Sequence, residues 1–175
     1  KNLQRLTNKR NEKIKDYMHK ASRMLVDQLA ERHVKTLVIG KNVGQKQDSN
    51  MGKKNNQNFV GIPIFRFLDM VAYKARLEGI EVMWQEESYT SKASFLDGDA
   101  MPVYGDGTDV PRFSGYREKR GLYKIRGKKT RINADLNGAL NILRKAIPNA
   151  FDALRASNAE GIEGVAVRPV RLNAA

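Results

Sequence analysis

A strand, a helix and a second strand follow one another between residues 34 and 85, and that order constrains the fold more than any other stretch. Residues 34–39, Val-Lys-Thr-Leu-Val-Ile, are rich in β-branched side chains and end at Gly40. The unbroken Leu37-Val38-Ile39 predicts a strand buried on both faces. Residues 63–78 place Ile64, Leu68, Val71, Ala72 and Ala75 on one helical stripe, with Pro63 in the first turn and Gly79 as the stop. Residues 80–85, Ile-Glu-Val-Met-Trp-Gln, predict the second strand, with Trp84 in the core. Two strands joined by a helix of this length form a βαβ crossover and run parallel. The fold class expected is α/β, and open sheets of this class bind ligands beyond the carboxyl ends of their strands.

The remaining elements hang on that unit. Residues 7–32 predict a long basic helix with Ile14, Met18, Ala21, Leu25 and Leu29 at helical spacing and Thr7 or Asn8 as its cap. Residues 41–58 are polar and aperiodic and read as a mobile loop. Residues 88–132 hold six glycines and a dense basic cluster from Arg112 to Arg131, which reads as an irregular insertion with a hairpin around Leu122–Ile125 and Thr130–Ile132. Residues 134–147 predict a third helix, with Leu136, Ala139, Leu140, Leu143 and Ile147 on one face. The four expected regions are therefore 1–87, 88–132, 133–148 and a flexible tail, 149–175.

Charge narrows the class of partner. Lys plus Arg number 32 against 19 Asp plus Glu, a net +13 over 175 residues. With the basic residues gathered in loops, that balance points to nucleic acid. The candidate phosphate contacts are Lys41, Lys46, Lys53 and Lys54 in the polar loop, and Arg112, Arg117, Arg120, Lys124, Arg126, Lys128, Lys129 and Arg131 in the insertion. Their plain alternative is a solvated basic surface. Tyr116 and Tyr123 lie among them, either to stack on bases or simply to pack.

Composition also removes chemistry. There is no cysteine, which excludes disulfides, thiolate catalysis and any Cys-bound zinc. Only His19 and His33 are present, too few for a His-rich metal site. No apolar run approaches the roughly 18 residues of a membrane span, and Lys1-Asn2-Leu3-Gln4-Arg5 does not resemble a signal peptide. The expectation is part of a longer intracellular protein, cytoplasmic and nucleoid-associated, with no membrane partner. Catalysis would then fall to carboxylates, with Mg²⁺ as their natural companion. Glu86 and Glu87 stand at the end of the second strand and Asp135 at the start of the third helix. Each has a simpler reading, as a solvated strand end or as a carboxylate favoured by the helix dipole.

At these residues the sequence resembles a known family. Glu87-Ser88-Tyr89-Thr90-Ser91-Lys92, Phe113-Ser114-Gly115, Arg120-Gly121-Leu122-Tyr123 and, above all, Asn133-Ala134-Asp135-Leu136-Asn137-Gly138-Ala139 are similar to the C-terminal half of TnpB-type (OrfB) proteins of bacterial insertion sequences. The resemblance covers about residues 5–150. It implies a RuvC-like, RNase H-type partial domain related to type V CRISPR effectors, and an RNA-guided DNA endonuclease with Mg²⁺ or Mn²⁺ held by three carboxylates. DNA and a guide RNA are the partners implied.

Two of the family's three carboxylates are not where the pattern puts them. The first belongs to an early strand that this chain does not contain, and the second is replaced by Gly40. The third matches Asp135. Either the site is dead, leaving a nucleic-acid-binding module, or the adjacent strand supplies the lost ligand through Glu87 or Glu86, since neighbouring strands lie about 4.8 Å apart. In the second case Glu86, Glu87 and Asp135 should converge at one sheet edge, Glu87 and Asp135 should be metal ligands, and Gly40→Ala should be tolerated. The family's zinc motif, Thr-Ser-x-x-Cys-x-x-Cys, keeps only Thr90-Ser91 here, so no zinc is expected.

Overall fold

The computed structural model describes residues 2–41, 63–105 and 107–152. Its elements in chain order are α1 (Asn2–Glu31), β1 (Thr36–Lys41), α2 (Ile64–Leu77), β2 (Glu81–Glu86), β3 (Gly115–Lys119), β4 (Leu122–Ile125), β5 (Arg131–Asn133) and α3 (Ala134–Ala146). The expected mobile loop, with Lys46, Lys53 and Lys54, and nearly all of the expected flexible tail lie outside the described residues. No helix among the described residues is long and apolar enough to cross a membrane.

The described chain divides into two units. The first holds α1, α2 and the opening residues of β1 and β2. Helix α1 already runs through Thr7 and Asn8, so neither caps it; the polar stretch before them continues the helix. Its buried line is Met18, Ser22 and Val26. Val26 meets Val71, Ala75 and Ile80, with Leu25, Leu29, Leu37, Phe67 and Val82 around them. Lys74 of α2 is buried in the same packing, a place periodicity would not assign to a lysine. Its Nζ donates to the His19 carbonyl at 2.7 Å and to Ser22 Oγ at 2.8 Å, so the charge is not left unpaired. Burial pushes its pKa down.

The strands β1 and β2 pair with each other. The Glu81 amide donates to the Lys35 carbonyl at 2.9 Å where both strands begin, and Glu87 lies against Gly40 where both end. Starts meet starts, so the pair is parallel, as the crossover requires. The strands are not buried on both faces. In β1 only Ile39 is fully buried, and Trp84 is 38% exposed rather than in the core. With one neighbour each among the described residues, both remain edge strands.

The second unit holds the ends of β1 and β2 and the described residues from 87 to 152, with a separate antiparallel sheet in the order β3-β4-β5. The expected hairpin is present, as β4 paired with β5 through Tyr123↔Ile132. A third strand, β3, pairs with β4 through Gly115↔Ile125. Gly115 is required there, because a Cβ would sit 2.7 Å from the Lys124 carbonyl and against the Tyr123 ring. Tyr123 is fully buried with Ile132 and Ala134, and Leu96, Leu136 and Leu140 pack around them. It therefore packs and does not stack on bases.

Helix α3 buries Ala134, Asn137 and Asn141; Ala139, expected on the buried face, is exposed. Asn137 accepts from the Phe95 amide at 3.0 Å and donates to the Ala93 carbonyl at 2.8 Å. Asn141 donates to the carbonyls of Thr90 and Ala93 at 2.9 and 2.8 Å. The turns between 88 and 99 carry these otherwise unpaired backbone groups, and the two buried amides satisfy them.

Candidate functional site

The carboxyl end of β2 carries two adjacent glutamates that face different partners. Glu86 accepts from Lys145 of α3, a contact with Nζ 2.5 Å from Oε2, and from the Ser88 amide. Burial opposes its ionisation, but these bonds outweigh it and hold its pKa below the usual glutamate value. Glu87 turns onto Gly40. A Cβ built on Gly40 would overlap the Glu87 carboxyl, with Cδ at 2.7 Å and Cγ at 2.8 Å. Glu87 is half-buried. Burial first, and the charge of Glu86 second, push its pKa up. The turn that follows is fixed by Tyr89, which adopts φ +62° and packs against Phe113 at 5.9 Å and Tyr104 at 6.4 Å.

Asp135 owes its position to Asn133. The Asn133 side chain caps α3 by accepting from the amides of Asp135 and Leu136, each at 3.0 Å. This sets Asp135 in the first helical turn, where the dipole favours its charge. Its side chain is 82% exposed and pairs with Arg117 of β3 at 3.3 Å. Asp135 and Lys145 stand ten residues apart, about 15 Å along the helix axis. Glu86 is thus drawn to the opposite end of α3 from Asp135 and does not converge with it. Among the described residues no group of three or more His, Asp or Glu side chains could hold a metal ion. A methyl group added at residue 40 would have to displace the end of the Glu87 side chain.

The basic candidates fall into two sets. Lys124 and Arg131 both pair with Glu118, at 3.6 and 2.9 Å, and Lys128 pairs with Asp97 at 2.8 Å. These charges are partly spent inside the protein. Arg112, Arg120 and Lys129 are exposed without an ion pair among the described residues. Arg126 lies over the Tyr116 ring at 5.0 Å, and Lys41 lies 5.8 Å from the Trp84 ring.

A further site feature was not foreseen. In the motif that elsewhere carries zinc, Ser94 and Asp97 take the two cysteine positions. Ser94 Oγ donates to Asp97 at 2.6 Å. Asp99 accepts from the Ser94 amide at 2.8 Å, from the Ser114 amide at 2.8 Å and from Ser114 Oγ at 2.6 Å. Asp99 thus ties the turn at Ser94 to Ser114, the residue before β3. Ser and Asp at cysteine spacing were the available signal.

Comparison with known proteins converges on the same region. Residues 65–142 match the family model for the Cas12f1-like TNB domain. The TnpB-like protein MJ0751 of Methanocaldococcus jannaschii is 27% identical over 108 residues, which cover 59% of this chain and 37% of that protein. Over this region the chain is similar to TnpB-type proteins. A cryo-EM structure of the Cas12f1-sgRNA-target DNA complex superposes with a TM-score of 0.59 at 23% identity, over 81% of this chain and 36% of that one. The mixed α/β fold of this chain is shared with that neighbour. The chain spans a little over a third of the length of these relatives.

Proposed function

We propose that this chain is the nucleic-acid-binding C-terminal part of a transposon-encoded, RNA-guided, divalent-metal-dependent DNA endonuclease, in which Glu87 supplies the carboxylate absent at Gly40. The observation that carries the reading is the seating of the Glu87 carboxyl in the space of the missing residue 40 side chain. Guide RNA and target DNA as partners are taken from the Cas12f1 complex that the fold resembles, and the net charge of +13 suits both. Glu87 fits a cation ligand. Its carboxyl is half-buried, has no hydrogen-bond partner among the described residues and carries a raised pKa, the condition of an acid that a cation would relieve. Glu87 and Asp135 are the residues that would hold Mg²⁺ or Mn²⁺, which commonly binds one or two carboxylates together with substrate phosphates. When bound, the metal supplies charge stabilisation for phosphodiester hydrolysis. Glu86, neutralised by Lys145, orients the strand end instead.

A second reading, a nuclease-dead DNA- and RNA-binding module of the same family, is favoured by the Arg117–Asp135 ion pair, which gives Asp135 a structural partner. The deciding experiment is cleavage of target DNA by the full-length protein with its guide RNA and Mg²⁺. Glu87→Ala and Asp135→Ala should each abolish cutting with guided binding retained, whereas Glu86→Ala should still cut. Equal cutting by wild type and Glu87→Ala would remove Glu87 from the site. Guided binding with no cutting by wild type would select the dead module.

A further inference from the structure

We infer that Lys145 is the positioning residue for Glu87: by holding the residues on either side of it, Lys145 fixes which of the two adjacent glutamates turns to Gly40. The inference rests on the reading of Glu87 as the substitute ligand and deepens it, by naming what keeps that carboxylate in place. One ammonium group makes two contacts. Lys145 Nζ lies 2.5 Å from Glu86 Oε2 and donates to the Ser88 carbonyl at 3.3 Å. Glu86 and Ser88 are the residues immediately before and after Glu87. The Lys145 side chain is only 12% exposed, and an ammonium withdrawn from water needs such acceptors.

Adjacent side chains of a strand point to opposite faces. With Glu86 drawn to α3, Glu87 is sent to the other face, where Gly40 leaves room for its carboxyl. The Glu87 backbone is tied as well. Its carbonyl accepts from the Thr90 amide at 3.2 Å and from Thr90 Oγ1 at 2.9 Å. Asn141, one turn before Lys145 on the same face of α3, donates to the Thr90 carbonyl at 2.9 Å. Helix α3 therefore grips the turn from residue 86 to residue 90 at both ends, and the carboxylate between them is oriented by contacts to its neighbours. Groups that orient a metal ligand from behind commonly change metal affinity by about 10- to 100-fold when removed.

The test starts on the full chain in metal-free buffer. Nuclear Overhauser contacts between the Glu87 γ-protons and the Gly40 α-protons report the seat. They should be present in the wild type and in Lys145→Arg, which keeps the charge and its donors, and lost in Lys145→Met. Lys145→Gln, too short to reach both oxygens, repeats the measurement should Lys145→Met not fold. Contacts that persist in either folded variant overturn the inference, and their absence from the wild type overturns it together with the reading beneath it. Titration with Mn²⁺, followed by electron paramagnetic resonance, then tests the consequence for a cation. Lys145→Met should bind Mn²⁺ about 10-fold more weakly than wild type or worse, and Lys145→Arg should restore the affinity. Equal Mn²⁺ affinity in wild type and Glu87→Ala overturns Glu87 as a ligand and leaves the metal-free contacts to decide whether Lys145 positions it. Weakened binding in Glu87→Ala with none in Lys145→Met overturns the positioning role and leaves Glu87 as the ligand.

Discussion

The Glu87 carboxyl and Gly40 occupy what would be a single side-chain position, on adjacent strand ends of a parallel pair. Gly40→Ala should therefore displace Glu87 and cost about 1–3 kcal/mol, the range for overpacking. In Glu87→Ala the obstructing carboxyl is gone, and the same Gly40→Ala change should cost much less. Chemical denaturation of the two single variants and the double variant measures the coupling. Strict additivity would show that the two residues do not share the space.

The two adjacent glutamates should respond to pH in opposite directions. Burial, and then the charge of Glu86, raise the Glu87 pKa. The folded state thus binds this proton more tightly than the unfolded chain, ionised Glu87 weakens the fold near neutrality, and the penalty is relieved as pH falls through the raised value. For Glu86, bonds from Lys145 and Ser88 outweigh burial and lower the pKa. Its contribution is present above the unfolded value of about 4.3 and is lost as pH falls through the depressed one. At pH 7 the Tm of Glu87→Gln should exceed that of wild type and the Tm of Glu86→Gln should fall below it. Both gaps should close in acid. A lower Tm for Glu87→Gln at pH 7 would contradict the assignment.

Asp99 should behave as a fastener. Asp99→Ala removes the acceptor for two backbone amides and a hydroxyl and should cost about 3 kcal/mol, because unsatisfied buried donors cost about 1–3 kcal/mol each. Asp99→Asn should fall between the two. With Mg²⁺ kept in excess, a zinc-selective chelator should leave the wild-type melting curve where it is; a drop in Tm would mean that zinc holds these loops after all.

Nucleic-acid affinity should be dominated by phosphates. The logarithm of the association constant should fall with log salt by about 0.7–0.9 for each phosphate neutralised. Arg112→Ala, which breaks no ion pair among the described residues, should reduce that slope by about 1. Lys128→Ala, whose charge is already paired with Asp97, should reduce it less. Titrations between about 50 and 200 mM salt provide the comparison.

Periodicity located α2, β2 and α3 to within about two residues, because each has an apolar stripe and a stop signal of its own. It was silent on β3, where Gly-Tyr-Arg-Glu-Lys leaves four of five residues exposed and has no alternation to read. Asn137 and Asn141 were invisible for another reason: their partners lie more than 40 residues away, and a polar residue on a helix carries no local mark of burial. Trp84 was misplaced because a strand pattern does not reveal which face another element covers. Within the site, Asp135 and Glu87 stood out by motif and by position. The pull of Lys145 on Glu86 depends on how α3 lies against the turn after β2, which no local pattern encodes.

The Asp99 knot changes what this module needs from its surroundings. A metal-bound knuckle that springs open must recapture its ion, competes for it with every other ligand in the cell, and exposes thiolates to oxidants while it waits. A clasp made of one carboxylate, two serines and their own amides closes again from parts that never leave the chain. Its assembly is indifferent to trace-element supply and to peroxide, and the loops it joins can part and rejoin as often as thermal motion allows.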